Sequence, residues 1–179
     1  MIDPLTRRRL SHRALFAAIG IVLIFIRLMP VNHTPGGLPG PDLTLALTLA
    51  WLLRRPEYVP AALVVLVFLL EDVMFWRPIG LWTLIVLGAT EFLRTREQSL
   101  RDLPFALEWA LVTGLLIAMV TLKRMILLMT MVEQPALGLE LFQMLMTLVA
   151  YPIVVVVSRV AFGLRRAAPG EVDAFGHRM

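Results

Sequence analysis

Cysteine is absent from the 179 residues, which excludes a disulfide framework, an iron–sulfur cluster and a thiol nucleophile. Catalytic patterns are missing too. There is no Ser/His/Asp set at plausible depth, no HExxH spacing and no glycine-rich phosphate loop. The three histidines, His12, His33 and His177, fall in a leader, a loop and a tail, none placed to share a ligand with another. The ten methionines, several in MILLMTM and FQMLM, have no His or Cys beside them, so they read as adaptable packing surface rather than as a metal site. No metal or cofactor is expected, and the chain reads as a subunit rather than an enzyme. Charge is also scarce, at 17% of residues against 59% hydrophobic.

What is present is apolar sequence in long blocks, with a mean hydropathy of +0.80. That pattern predicts a polytopic membrane protein. The net charge of +4 would suggest nucleic acid as a partner of a soluble protein. Here it fits basic residues that crowd helix ends and meet anionic lipid heads, so membrane lipids are expected as partners and nucleic acid is not.

Six apolar segments predict an all-α bundle of six transmembrane helices. They run from about Ala14 to Met29, over DLTLALTLAWLL, from Tyr58 to Trp76, from Ile79 to Leu93, from Phe105 to about Met131, and from Leu137 to Gly163. The expected organisation is a cytoplasmic basic leader over 1–13, a transmembrane domain over 14–166 and a cytoplasmic tail over 167–179. The leader RRRLSHR and the following run lack a small-x-small cleavage site, and Arg27 interrupts the run, so an uncleaved first helix is expected.

The second segment has about 12 residues, roughly 18 Å against a hydrocarbon core of about 30 Å. It therefore has to tilt, be extended by snorkelling Arg54 and Arg55, or follow irregular chain that lines a cavity. Its LTLALTLA alternates with period two, but no other segment does, which argues against a barrel. Pro152 in the sixth segment predicts a kink.

Lys and Arg divide unevenly between the two sides. Thirteen (Arg7, Arg8, Arg9, Arg13, Arg54, Arg55, Arg94, Arg96, Arg101, Arg159, Arg165, Arg166 and Arg178) fall on one side. Four (Arg27, Arg77, Lys123 and Arg124) fall on the other. By the positive-inside rule both termini are expected in the cytoplasm.

On that topology Glu71 and Asp72 lie in the outer third of the third helix and Arg27 at similar depth in the first. A charge at depth costs several kcal/mol unless paired or wetted. The sequence therefore predicts that Arg27 pairs with Glu71 or Asp72 and locks the bundle, the bland reading being that each charge reaches the headgroups alone. Gly20, two turns before Arg27, admits a close neighbour. Small residues repeat every four positions at Ala14 and Ala18 and at Ala110, Gly114 and Ala118, faces that suit close helix contact within the protein or with a partner. Gly80, Thr83, Thr90 and Glu91 form a polar stripe expected to face the bundle.

Between residues 41 and 94 the order of motifs resembles the rod shape-determining protein MreD family. Pro41-Asp42 opens the second helix, the turn RRPE contains Arg55, the third helix ends in LLED with Asp72 at the family's acidic position, and Pro78-Ile79-Gly80 starts the next helix. The match covers under a third of the chain. It departs from the family at VMFWR, where small residues are usual. The resemblance implies a non-enzymatic inner-membrane subunit of the bacterial cell-elongation complex. Its expected partners are an MreC-like single-pass protein, a RodA-type glycosyltransferase and a class B penicillin-binding protein, with MreB filaments contacted indirectly. The family's fold is similar to the S component of energy-coupling-factor transporters, so a substrate-binding S component is the alternative. Nothing in the sequence chooses between a monomer and a homo-oligomer.

Overall fold

The computed structural model describes residues 4–29, 38–100, 103–132 and 134–163. The cations Arg101, Arg165, Arg166 and Arg178, the histidines His33 and His177, most of the first loop and the whole 167–179 tail lie outside the described residues. Those described are all-helical apart from connections. The order is α1 (Pro4–Leu28), α2 (Leu43–Leu52), a 3-10 turn (Pro56–Tyr58), α3 (Ala61–Met74), α4 (Leu81–Thr95), α5 (Glu97–Leu100), α6 (Phe105–Met129) and α7 (Leu137–Phe162).

Each of the six apolar segments corresponds to one helix, with two differences. First, α1 begins at Pro4 rather than at Ala14, so the basic leader is helical and continuous with the apolar run. Pro suits a first helical turn because its missing N–H has no partner to lose there. Second, the connection RTREQSLRD holds the single-turn α5. At the other Pro of interest, α7 continues through Pro152 as one helix.

The order of neighbours follows from a few cross-chain contacts. Asp42 N–H donates to Thr147 Oγ1 at 2.8 Å and Trp51 Nε1–H to Ser158 Oγ at 3.2 Å, so α2 and α7 run parallel, side by side. Lys123 meets Glu140 while Trp109 Nε1–H reaches Leu148 O at 3.1 Å, so α6 and α7 are antiparallel. The chain thus passes back and forth between two ends. One carries Arg27, Asp42, Glu71, Asp72 and Gly80. The opposite end carries Arg13, Arg54, Glu57 and Arg94.

The centre is α2. Every residue from Thr44 to Leu52 is buried, and Trp51, wholly buried, lies between the rings of Phe16 and Phe162. A helix that is apolar on every side has no solvent face to present. Its 10 residues, about 15 Å, raise no length mismatch, because its ends meet protein and not lipid. Asp42 caps the start, its Oδ1 accepting from Leu45 N–H at 3.0 Å. Residues 38–42, which form no regular structure, precede it. Of the three ways offered to accommodate the short segment, snorkelling of Arg54 is not used: only 8% of its side chain is exposed. It turns inward because a carboxylate waits on a neighbouring helix. Its Nη1 and Nη2 donate to Glu108 Oε1 and Oε2 at 3.0 and 3.4 Å, its Nη1 also to Ala50 O, and Tyr151 hydroxyl donates to Glu108 as well.

The surface is where the apolar sequence goes. Thr6–Leu28, Phe105–Met129 and Leu137–Phe162 are long and apolar enough to cross a membrane, and only 17%, 22% and 22% of their most apolar stretches are buried. Val22, Phe25, Leu128, Ile153, Val156 and Val160 all face outward. Contiguous apolar surface on that scale is foreign to a water-soluble monomer.

The small residues separate by role. Gly20 is buried and admits α3: a Cβ there would sit 3.2 Å from Val67 Cγ1. Ala14, Ala18, Ala110, Gly114 and Ala118 are exposed, so within this chain they seat no neighbouring helix. Gly20→Leu is therefore expected to destabilise the detergent-solubilised protein by about 1–3 kcal/mol through overpacking. Ala18→Leu should change it by less than about 0.5 kcal/mol. Thermal unfolding of the two variants checks both.

Candidate functional site

The acidic end of α3 is built from adjacent carboxylates with different duties. Both are fully buried. Glu71 receives Arg27, Nη1 to Oε1 at 2.7 Å. The pair is strong because the partner is charged and the donor half-buried, so little water competes. Arg27 also lies 3.7 Å from Asp42 Oδ2, and Arg77 lies 3.8 Å from Glu71 Oε1. Both guanidinium groups stand over the ring of Phe75, at 4.7 and 5.6 Å, where the ring's electron-rich face favours a cation. Phe75 belongs to the bulky VMFWR stretch, so that departure supplies an aromatic platform for two arginines.

Asp72 faces the other way. Its Oδ2 accepts from Gly80 N–H at 3.1 Å, Thr83 N–H at 3.1 Å and Thr83 Oγ1–H at 2.8 Å. The first N–H groups of a helix lack partners inside it and carry the positive end of its dipole. Usually the residue just before the helix answers them. Here an acid on the preceding helix does, and it reaches them because Gly80 takes φ +84°, a left-handed conformation that costs an L side chain roughly 1–2 kcal/mol. Pro78, with no N–H to satisfy, starts this turn. Loss of Asp72 therefore uncaps α4. It does not orphan Arg27, contrary to the consequence expected from an Arg27–Asp72 lock, because adjacent helical residues point about 100° apart and only Glu71 faces α1.

The turn out of α3 closes on itself. Trp76 has φ +52°, and Arg77 N–H returns to Asp72 O at 3.1 Å, the bond that ends a helix through a left-handed residue. Met131 does the same after α6, with φ +53° and Val132 N–H on Leu127 O at 3.2 Å. Trp76 and Met131 are each 95% exposed, so two large apolar side chains stand at the tips of this end.

The remaining residues singled out in the sequence distribute as follows. Thr83 and Thr90 are buried, Gly80 and Glu91 half-buried at the stripe's edges. Pro41 and Asp42 open α2. Arg55 sits at the opposite end of the bundle, 3.8 Å from Glu57, so it takes no part in the site. Among the exposed methionines are Met125, Met129 and Met131.

Several polar residues at the ends went unremarked in the sequence. Glu140, nearly buried, holds both cations of α6, Lys123 at 2.7 Å and Arg124 at 2.6 Å. Glu108 and Tyr151 join Arg54, and Thr147 joins Asp42. The available signal was charge at matching depth on helices not yet known to be neighbours. Among the described residues no three His, Asp or Glu side chains converge as metal ligands would.

The class these observations define, over the described residues, is an all-helical protein with three helices of membrane-spanning length and a cluster of buried, paired charges at one end. Comparison with family models, with curated proteins and with solved structures gives no match for this chain.

The pairing predicts a specific pattern of couplings. A double-mutant cycle between Arg27→Met and Glu71→Leu should show an interaction above about 1 kcal/mol, with the double variant more stable than Glu71→Leu alone, because removing one member of a buried pair costs about 3–5 kcal/mol and removing both is often neutral. The cycle between Arg27→Met and Asp72→Asn should show less than about 0.5 kcal/mol. Chemical or thermal unfolding in detergent measures both.

Proposed function

We propose that this chain is a non-enzymatic subunit of the bacterial inner membrane that serves the cell-elongation complex in the manner of the MreD family. The observation that carries the reading is the contact between the two motif elements the resemblance rests on: the acid of LLED, Asp72, accepts the N–H of Gly80 in the Pro-x-Gly turn. That contact gives the acid, the proline and the glycine one shared purpose, which is to start α4 correctly. In this reading the bundle crosses the membrane six times with both termini in the cytoplasm. Helices α3 and α4, 14 and 15 residues long, are completed by their turns, with Trp76 at the outer interface where indole rings settle.

The bundle is then a rigid seat for a partner's transmembrane helix. Affinity comes from close packing on exposed small residues such as Ala14 and Ala18, or Ala110, Gly114 and Ala118, since lipid tails are as apolar as any helix face. An MreC-like protein is the proposed direct partner. The RodA-type glycosyltransferase and its class B penicillin-binding protein follow in the same assembly, and MreB filaments are reached indirectly.

One observation favours the alternative, an S component of a small-molecule transporter with the similar fold: a cavity beside Asp42 that has charged groups in its wall. Its volume is about 40 Å³, well short of the roughly 300–1,000 Å³ of clefts that enclose whole small-molecule ligands, and the cleft of about 340 Å³ that adjoins it is mostly apolar and opens on the outer face of the bundle rather than at one end.

Affinity purification of the tagged protein in mild detergent, followed by mass spectrometry, tests the choice. Recovery of an MreC-like protein with cell-wall synthases is expected, and Asp72→Ala should reduce that recovery by uncapping α4 at a cost of about 2 kcal/mol. Recovery of an ATPase pair with its coupling subunit overturns the proposal. The absence of cysteine makes topology directly measurable. Single cysteines at Trp76 and Met131 should react with an impermeant maleimide on intact spheroplasts, and one at Arg96 only after permeabilisation.

A further inference from the structure

The cavity beside Asp42 lies between α2, α4, α6 and α7 and is lined by both charged and uncharged polar groups. Its carboxylates are committed. Asp42 caps α2 and faces Arg27, and Glu140 holds Lys123 and Arg124. Its donors are not. Trp82, 92% buried by its 8% exposure, has a buried Nε1–H with no acceptor among the described residues, and so has Gln143 Nε2. The Arg77 guanidinium makes no hydrogen bond to a described residue and stands 3.8 Å from an oxygen that Arg27 already occupies. A buried donor without an acceptor costs about 1–3 kcal/mol, and two of them around one cavity, with the partly exposed Arg77 beside them, call for an oxygen-rich acceptor group. A guanidinium among them selects an oxyanion. The cavity's 40 Å³ suits a group of a few atoms.

A second cavity of about 340 Å³ adjoins it between α6 and α7, sharing Val120 and Glu140. It is predominantly apolar, formed by Met125, Leu128, Leu137 and Leu141, which are exposed and so open it to the outer face of the bundle. Arg124 stands at its edge. A small cavity with two unused buried donors and Arg77 on its wall, adjoining an apolar cleft open at the surface, matches an amphiphile with an oxyanionic head. We infer that the two cavities together hold one phospholipid, its phosphate among Arg77, Trp82, Lys123 and Gln143 and an acyl chain along the α6–α7 cleft. The site is independent of any role in cell elongation. It follows from the charge complementarity and from the cleft alone.

Native mass spectrometry of the full-length protein in detergent tests it, with phosphatidylglycerol, the diacylglycerol sharing its tails, and inorganic phosphate titrated separately. Phosphatidylglycerol is expected to bind one to one, at least tenfold more tightly than diacylglycerol. Arg77→Gln should weaken it about tenfold, in keeping with the loss of one charge-assisted hydrogen bond. Trp82→Phe, which keeps the ring, and Leu141→Trp, which fills the cleft, should each weaken it severalfold. Should Trp82→Phe fail to fold, half-exposed Arg77 and exposed Leu141 still carry the test. Equal binding of phosphatidylglycerol and diacylglycerol, binding unchanged by Arg77→Gln and Leu141→Trp, or phosphate binding without lipid binding each overturns the inference.

Discussion

Two carboxylates with no exposed surface, side by side near the end of α3, set the constraint on which this architecture depends. Neither can remain charged in an apolar bundle without compensation. Glu71 obtains it from Arg27 at 2.7 Å, which ties the end of α1 to the end of α3. Asp72 obtains it from the first N–H groups of α4 and a threonine hydroxyl, which ties the end of α3 to the start of α4. Three helices are registered by two adjacent side chains because a helix turns them toward different neighbours. The arrangement specifies geometry more than it adds stability, since a buried ion pair exchanged for matched apolar groups often leaves stability unchanged.

Around that constraint the bundle sorts its helices by what surrounds them. The central α2 contacts only protein, is short, and has its ends tied by Asp42 to Thr147 and by Trp51 to Ser158. The long helices α1, α6 and α7 carry the exposed apolar faces. In water those faces would drive association. In lipid they cost nothing, and only shape and hydrogen bonding distinguish one apolar neighbour from another. That is why the polar contacts concentrate at the two ends: Arg27, Glu71, Asp72 and Glu140 at one, Arg54, Glu108 and Glu57 at the other. Each end is a place where a misplaced helix would strand a charge.

Long apolar blocks are local in the chain, so the existence and order of the six principal helices were readable without tertiary information. So was the isolation of Arg27 and of the Glu71-Asp72 pair within apolar sequence, since a charge in such a run is unusual wherever the run lies. The start of α1 at Pro4 is not marked by hydropathy, because its first turns are basic, although arginine is a good helix former. The inward turn of Arg54 is not legible locally, because Glu108, its partner, lies 54 residues further along. Gly20 and Gly114 look alike in sequence, yet one meets Val67 and the other meets nothing within 4 Å.

What the sequence by itself determined is therefore the solvent and the list of charges that need partners. Hydropathy is additive along the chain, and the cost of an unpaired charge is paid wherever it falls. Which partner each charge obtains was decided only by tertiary structure. Glu71 rather than Asp72 faces Arg27 because of how α3 is rotated. Glu140 collects two cations because α7 folds back on α6. The donors of Arg77 and Trp82 and that of Gln143 come from two separate stretches of chain and face one cavity only once four helices are assembled. Rotation about a helix axis and adjacency between distant helices leave no local trace in sequence, and they decide where the polar groups of this protein meet.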